Sequence, residues 1–303
     1  MRIYTHPACV RHDPGPGHPE CPARLETVVA ALREQGSGLD WQEAPLASRE
    51  ALSRVHAPSL LATVLDTPVP EARRLDPDTV LSPASPEAAL RAAGAGVAAV
   101  NWTMASPGRR AFCAVRPPGH HATGDTAMGF CLFNSIAVAA AHALAAFGLQ
   151  RVAIVDFDVH HGNGTQDIFA NDARVMYVSS HQSPLYPGTG RSNEHGVGNI
   201  ENAELPPGSG SEAFRAAWTK SLLPALEHYS PQLLLVSAGF DAHRLDPLAD
   251  LNLEAGDYAW LTAELVALAE RHAQGRIVSM LEGGYSLTAL RECTLTHVGA
   301  LSG

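Results

Sequence analysis

Four short polar segments of the sequence combine histidine, aspartate, glycine and tyrosine, the residue types that bind metals and move protons. Each segment follows a short apolar run that predicts a β-strand. Ligands bind outside the carboxyl ends of the strands in an open parallel sheet, so these segments should converge at one edge. The segments are 116–121, 156–164, 239–243 and 282–285.

The second and third of these segments contain candidate metal ligands. Asp158 and His160 are two residues apart, so on an extended strand end both side chains point to the same face. An isolated Asp-x-His pair is more typical of a solvated carboxylate and a satisfied histidine. Together with Asp241 the pair supplies one nitrogen and two carboxylates and leaves a coordination position open, as in catalytic zinc sites.

The remaining polar residues suggest proton transfer. His120 and His121 follow a glycine, and histidine is the usual general base near neutral pH. Asp156 could orient one of them and Asn163 the other. Tyr285 follows two glycines, as expected of an oxyanion donor on a turn. Taken singly, a surface loop for the histidines and a surface position for the tyrosine are equally compatible with the sequence.

Other segments have simpler interpretations. Gly129 and Phe130 are compatible with a tight turn before a helix, and Asn134 is a plausible N-cap for that helix. The stretch 186–190 is typical of a turn on composition alone.

Apolar runs that alternate with helical patterns predict a doubly wound α/β fold. The runs lack polar alternation, which indicates strands buried on both faces of a parallel sheet. No linker or repeat interrupts the chain, so we expect one domain over 1–303. Strands are predicted at 2–4, 111–115, 151–157, 174–179, 232–237 and 276–281, and helices at 86–100, 134–147, 214–229 and 256–272.

Composition excludes several classes of protein. The 303 residues carry a formal net charge of −10, which argues against a nucleic-acid binder. No signal peptide is visible, and the longest apolar run, 136–149, is interrupted by His142 and too short to span a membrane. Five cysteines without a C-x-x-C pair argue against a disulfide framework. We therefore expect a soluble, cytoplasmic protein.

With these segments in view, the sequence resembles the histone deacetylase family, and within it the class II and bacterial branch. That branch includes bacterial amidohydrolases that act on acetyl-lysine and on acetylpolyamines. The resemblance implies the arginase/deacetylase α/β fold, with a single parallel sheet sandwiched by helices. It runs from about His18 to Gly299 through HPECPARL (18–25), RPPGHHA (116–122), GFCLFN (129–134), DFDVHHGNGTQ (156–166), SSHQ (179–182), YPGTG (186–190), GFDA (239–242) and EGGY (282–285).

The resemblance also implies the bound ions. One catalytic Zn²⁺ would be held by Asp158, His160 and Asp241. A structural K⁺ would use Asp156, the main chain of Asp158 and His160, and Ser179 and Ser180. A second monovalent site is implied near Phe169 and Val175.

Catalytic roles follow from the same resemblance. His121 would be the general base and later the acid for the leaving amine. His120 would be its electrostatic partner, oriented by Asp156, and Tyr285 would stabilise the oxyanion. Asn163 stands where some family members carry an aspartate partner to the base.

The substrate would enter a tunnel. Phe130, next to Gly129, and Tyr186 would form the walls around an acyl-lysine stem. Polyamine-specific members place an acidic residue after the Asp-Pro that follows the third ligand, whereas Leu248 stands there in this chain. The stretch 75–120 is also too compact for the inserted loop of other polyamine enzymes. These features favour acetyl-lysine in proteins or peptides over acetylpolyamines.

Two alternative hypotheses place the protein in a class other than the deacetylases. A two-manganese ureohydrolase would require carboxylates at Gly162 and His243, and this chain has neither. A non-catalytic acyl-lysine binding module is disfavoured because the base, the three ligands and Tyr285 are all present.

Overall fold

A single sheet of eight strands, all parallel to their neighbours, forms the centre of the protein. The structure is a computed structural model that describes residues 1–35 and 38–303. Its strands are β1 (Arg2–Thr5), β2 (Asp40–Glu43), β3 (Arg73–Arg74), β4 (Val80–Leu81), β5 (Arg110–Cys113), β6 (Val152–Asp156), β7 (Val175–Gln182), β8 (Ile200–Leu205), β9 (Leu233–Ala238) and β10 (Ile277–Leu281).

The strand order across the sheet is β2-β1-β5-β10-β9-β6-β7-β8. Strand β10 comes last in the chain but lies at the centre, between β5 and β9. The short strands β3 and β4 form a separate antiparallel pair.

Helices cover both faces of the sheet. They are α1 (Pro7–Arg11), α2 (Pro22–Glu34), α3 (Arg49–Ser53), α4 (Pro58–Leu61), α5 (Ser85–Met104), α6 (Ser135–Phe147), α7 (Asn163–Phe169), α8 (Ser211–Ala217), α9 (Leu223–Tyr229), α10 (Ala255–His272) and α11 (Leu287–Ser302). Two π-helical segments, Ala62–Asp66 and Trp218–Leu222, follow α4 and α8.

The two helical layers can be assigned from adjacent residues of β10, whose side chains point to opposite faces. Ser279 is hydrogen-bonded to His297 of α11 at 2.8 Å. The sulfur of Met280 lies against Gly96 of α5. Helix α5 packs against α6, while α11 packs against α2 and α10. The predicted α/β fold with a parallel sheet between helices is therefore confirmed.

The predicted strands and helices are all present, with shifted ends, but two strands of the sheet were missed. Both are edge strands. Strand β2 reads DWQE and is largely exposed, and β8 reads IENAEL with only Ile200, Asn202 and Leu205 buried. A strand buried on both faces shows an unbroken apolar run, whereas an edge strand does not, and the prediction relied on that signal. The helix predicted over 214–229 is interrupted by the π-helical segment Trp218–Leu222.

Asn134 caps α6 as predicted. Its side-chain oxygen accepts a hydrogen bond from the main-chain N–H of Ala137 at 3.0 Å. Its amide nitrogen donates to Ala122 O at 3.1 Å and to Thr165 Oγ1 at 3.1 Å. The cap thereby fixes α6 to the loop that carries the two adjacent histidines.

Candidate active site

The four polar segments follow four consecutive strands of the sheet. Strands β5, β10, β9 and β6 are neighbours, and they lead into residues 116–121, 282–285, 239–243 and 156–164, respectively. Because all four strands are parallel, their carboxyl ends lie at the same edge. The structure brings together at this edge all the residues predicted as metal ligands or catalytic groups.

Asp158, His160 and Asp241 form a buried group that could hold a metal ion. One ligand atom from each residue lies within 4.8 Å of the other two. His160 Nδ1 is 3.1 Å from Asp158 Oδ1 and 3.3 Å from Asp241 Oδ2. Main-chain N–H groups of Val159 and Gly283 fix the carboxylates, donating to Asp241 Oδ1 at 2.9 Å and Asp158 Oδ2 at 2.8 Å.

Two observations show that this donor set fits a metal. Asp241 Oδ2 is buried and accepts no hydrogen bond from the described residues, which is costly for a carboxylate oxygen without a cation. A Cβ at Gly239 would overlap with Asp158, and one at Gly283 would overlap with both carboxylates, so only glycine leaves them their places. One imidazole nitrogen and two carboxylate oxygens are ligands that Zn²⁺ accepts in three-ligand sites.

The two adjacent histidines have different partners. His120 Nδ1 lies 3.0 Å from Asp156 Oδ2, which also accepts a hydrogen bond from the Tyr177 hydroxyl at 3.0 Å. His121 Nδ1 lies 2.8 Å from the amide oxygen of Asn163, the first residue of α7. Since that oxygen is an acceptor, Nδ1 of His121 carries the proton and Nε2 is left to exchange one.

The two histidine rings differ in the direction in which their surroundings shift the pKa. Burial lowers the pKa of His121 well below its usual value, and the neighbouring charges of His120 and His160 lower it further. Burial acts in the same direction on His120, but the carboxylates of Asp158 and Asp156 outweigh it and raise its pKa well above the usual value. His121 is therefore neutral and able to accept a proton, while His120 carries a positive charge.

Tyr285 is held at this site by its main chain. The buried carboxylate of Asp246 accepts the N–H of Tyr285 at 2.7 Å and that of Ser286 at 3.2 Å. The Arg24 guanidinium lies 4.8 Å from the centre of the tyrosine ring. Among the described residues none is hydrogen-bonded to the Tyr285 hydroxyl, so it is available to a ligand.

Three residues of this site, His121, His160 and Tyr285, line a cavity of about 200 Å³. Phe130 meets Tyr285 edge to face at 5.8 Å, and Tyr186 meets His121 at 5.1 Å. Gly129 has φ +55, and a Cβ there would lie 2.5 Å from the His121 ring, so glycine is required beside the histidine. The lining residues are Asp78, His121, Gly129, Phe130, His160, Leu185, Tyr186, Leu248 and Tyr285.

Sequence reasoning missed two lining residues and two supporting carboxylates. Asp78 and Leu185 line the cavity, but neither lies in one of the four polar segments. Glu282 accepts the N–H groups of Gly119 at 2.6 Å and His120 at 3.2 Å. Glu282 and Asp246 stand inside motifs that were noted, yet their partners are distant in sequence, so only the fold reveals them.

The two-metal alternative finds no second set of ligands. A Cβ at Gly162 would meet Asp156 Oδ2 and, at 2.7 Å, the Tyr177 hydroxyl. His243 Nδ1 accepts the N–H of Leu245 at 3.2 Å. Within residues 1–35 and 38–303, the only group of three metal-capable side chains is the one described above.

Comparisons with known proteins identify the family of this chain. Residues 18–301 match the family model described as the histone deacetylase domain. The chain is 38% identical to a probable deacetylase of Archaeoglobus fulgidus over 99% of this chain and 86% of the relative. It is 39% identical to a histone deacetylase-like amidohydrolase of Pseudomonas aeruginosa over 95% of this chain and 77% of the relative.

A solved structure gives the same result. The crystal structure of the HDA15 HD domain superposes with a TM-score of 0.94 and 34% sequence identity, covering 100% of this chain and 88% of that one. The protein is thus an α/β deacetylase-type hydrolase. The chain belongs to the histone deacetylase family.

The helices of the described part of the chain do not meet the requirements of a membrane span. None is both long and apolar enough to cross a bilayer.

Proposed function

We propose that this protein is a zinc-dependent deacetylase that hydrolyses the amide bond of an acetylated amine, with acetyl-lysine in a peptide or protein as the favoured substrate. One observation carries the proposal. His160 of the metal-capable trio lines one cavity together with His121 and Tyr285, whose Nε2 and hydroxyl have no hydrogen-bond partner among the described residues. Amide hydrolysis needs an activated water, a stabilised oxyanion and a proton for the leaving amine, and these groups can meet those needs.

The reaction can be followed through the residues of the chain. A zinc ion held by Asp158, His160 and Asp241 would polarise the acetyl carbonyl and acidify water. His121 accepts a proton from the attacking water as the new C–O bond forms. The Tyr285 hydroxyl donates a hydrogen bond to the oxygen that becomes negative. His121 then delivers its proton to the amine nitrogen as the C–N bond breaks, which releases the free amine and acetic acid, and the acid ionises to acetate in water.

Three neighbouring residues position and tune the base. Asn163 fixes the tautomer of His121 through its amide oxygen. His120, paired with Asp156, places a positive charge beside the base, with the ring centres 4.1 Å apart. This charge favours the neutral form of His121 before the reaction.

A structural K⁺ is also part of the proposal. Asp156, Ser179 and Ser180 are buried, and no described residue donates a hydrogen bond to the main-chain oxygens of Asp158 or His160. Oxygen ligands of this kind suit a hard monovalent cation. The ion would hold the loop after β6 and thereby the two zinc ligands within it.

Acetylpolyamine is the second candidate substrate, and one observation favours it. Asp78 lines the same cavity as Leu248. A carboxylate there would attract the free ammonium group of an acetylpolyamine, whereas Leu248 suits an uncharged stem.

A direct comparison of substrates tests the proposal. We would measure kcat/KM of the zinc-loaded protein on an acetyl-lysine peptide and on acetylputrescine. Preference for the peptide supports the favoured substrate, and preference for acetylputrescine supports the alternative. Asp78→Asn should reduce turnover of acetylputrescine alone if the alternative is correct, while the exposed Glu212→Gln serves as the matched charge control.

The catalytic assignment has its own control. His121→Ala should retain zinc and substrate binding and lose hydrolysis, whereas unchanged kcat would exclude His121 as the base. If the wild-type protein binds zinc and an acetyl-lysine peptide without hydrolysing it or any other acyl-amide, the protein is a binding module instead.

A further inference from the structure

Three main-chain carbonyl oxygens converge on the side-chain nitrogen of Asn199. Asn199 Nδ2 lies 2.8 Å from Phe169 O, 3.1 Å from Asp172 O and 2.7 Å from Val175 O. Asn199 is 3% exposed. The three carbonyls belong to the connection from the end of α7 to the start of β7, and Asn199 directly precedes β8.

The carbonyl oxygens outnumber the hydrogens that the Asn199 amide can donate to them. The Asn199 NH₂ group has two hydrogens for three oxygens, so at least one hydrogen is shared. Several carbonyl oxygens pointing at one central atom is the arrangement by which proteins bind K⁺. Here the central atom is a nitrogen of the protein itself.

The orientation of the amide follows from its other end. Asn199 Oδ1 accepts the N–H of Val197 at 3.1 Å. A flipped amide would place Oδ1 among three other acceptors and Nδ2 against a donor, so Nδ2 must face the carbonyls.

We infer that Asn199 replaces the second monovalent cation implied near Phe169 and Val175 by the family resemblance. The residues present do not fit that ion, because the amide nitrogen occupies the point on which the carbonyls converge. Asn199 takes no part in the proposed reaction, so its role here does not depend on that reaction.

The replacement has a structural consequence. Helix α7 carries Asn163, the partner of His121, at its first position and Phe169 at its last. Strand β7 begins at Val175 and carries Ser179 and Ser180 further along. A covalently tethered amide therefore holds these two elements together whatever the ion concentration, whereas a bound cation would hold them only when saturated.

The wild-type protein provides the first test. Crystals equilibrated with Tl⁺ in place of K⁺ would be measured at a wavelength where thallium scatters anomalously. We expect no anomalous peak between the carbonyl oxygens of Phe169, Asp172 and Val175. A peak there, with the Asn199 side chain turned away, would overturn the inference.

Two variants provide the second test, with thermal unfolding as the readout. In choline chloride, Asn199→Ala should lower Tm by about 5 °C, because buried carbonyls lose their donor. Replacing choline with K⁺ should recover part of this loss through a saturable response that adds to the one wild type owes to its proposed structural K⁺ site. Asn199→Leu fills the space without a donor, so it should lose stability and respond to K⁺ no more than wild type does.

The outcomes are decisive in either direction. A K⁺ response of Asn199→Ala equal to that of wild type would contradict the replacement. If Asn199→Ala folds only in K⁺ while wild type also folds in choline chloride, that difference supports the replacement.

Discussion

Glu20 and Asp241 are both buried carboxylates, and they lie in clusters of opposite character. Glu20 accepts hydrogen bonds from Arg24 at 2.9 Å and from Arg116 Nη2 at 2.7 Å. The two arginines also donate to main-chain oxygens, including Glu282 O at 2.6 Å and Cys9 O at 2.8 Å. None of the polar side-chain atoms of Glu20, Arg24 or Arg116 in the described structure is buried without a partner.

Asp241 lies among other acidic groups. It is beside Asp158, and one of its oxygens has no hydrogen-bond partner among the described residues. Burial and the charge of Asp158 raise its pKa to about 7. Burial also acts to raise the pKa of Glu20, but the charges of Arg116 and His12 outweigh it and hold the pKa well below the usual range.

The difference indicates that the Glu20 cluster has a structural role and the Asp241 cluster a functional one. Loss of one member of a buried charged cluster that satisfies all its own groups destabilises the fold. Here the cluster contacts the polar segments 116–121 and 282–285 through Arg116 and Arg24. A buried cluster with an unsatisfied carboxylate oxygen is complete only with a cation. Neutralising Glu20 should therefore lower the stability of the protein, whereas neutralising Asp241 in the absence of a metal should not.

The largest effect is expected at the metal-capable cluster. Asp241→Asn keeps the shape of the side chain and removes its charge, so zinc should be lost and kcat/KM should fall by at least about 10³-fold. In chelator-treated protein the same change should not lower Tm, since it relieves repulsion between carboxylates. Zinc per chain by elemental analysis would check the first point, and stoichiometric zinc would contradict the ligand assignment.

The next largest effect is expected at the Glu20 cluster. Glu20→Gln leaves two buried arginines without their counter-charge and should lower the free energy of unfolding by about 3 kcal/mol. Urea denaturation would measure it. Glu34→Gln, which removes an exposed partner of Arg291, is the matched control and should have a much smaller effect. Equal losses for both variants would erase the distinction between the two clusters.

Tyr285→Phe tests whether the free hydroxyl at the site is used in the reaction. We expect kcat to fall by ~10²-fold, the scale of one oxyanion donor, with zinc content unchanged. The aromatic ring remains over Arg24, so Tm should hardly change. A Phe variant with full kcat would remove Tyr285 from the proposed mechanism.

A smaller effect is expected from a buried group outside both clusters. His297 is fully buried between Thr262 and Ser279, and burial lowers its pKa to about 3. The unfolded chain binds a proton near pH 6.5 while the folded chain does not, so this residue contributes a loss of stability as pH falls from about 6.5 towards 3. His297→Gln should reduce the slope of Tm against pH in that range. His195→Gln, at an exposed position, should leave the slope unchanged.

Much of the site could be predicted from the sequence because its chemistry is local to strand ends. Asp158 and His160 share one segment, and unbroken apolar runs identified the strands that carry all four segments. Those strands prove to be neighbours, which the sequence order alone does not show.

The residues that were missed depend on long-range contacts. Asp246 is recognised only through the N–H of Tyr285, 39 residues away, and Glu20 only through Arg116, 96 residues away. Asp78 reaches the cavity from a turn before β4. Edge strands β2 and β8 have the mixed polarity of half-exposed elements, so periodicity could not distinguish them from loops.

The central place of β10 has a consequence for the order of events during synthesis. Until residues 277–281 emerge, the sheet exists only as two parts, β2-β1-β5 and β9-β6-β7-β8, whose facing edges have no partner. Gly283, which fixes Asp158, and Tyr285 follow the same strand. The metal-capable cluster is therefore completed only when the last strand inserts into the sheet. Metal binding should accordingly occur at the end of folding rather than at its start.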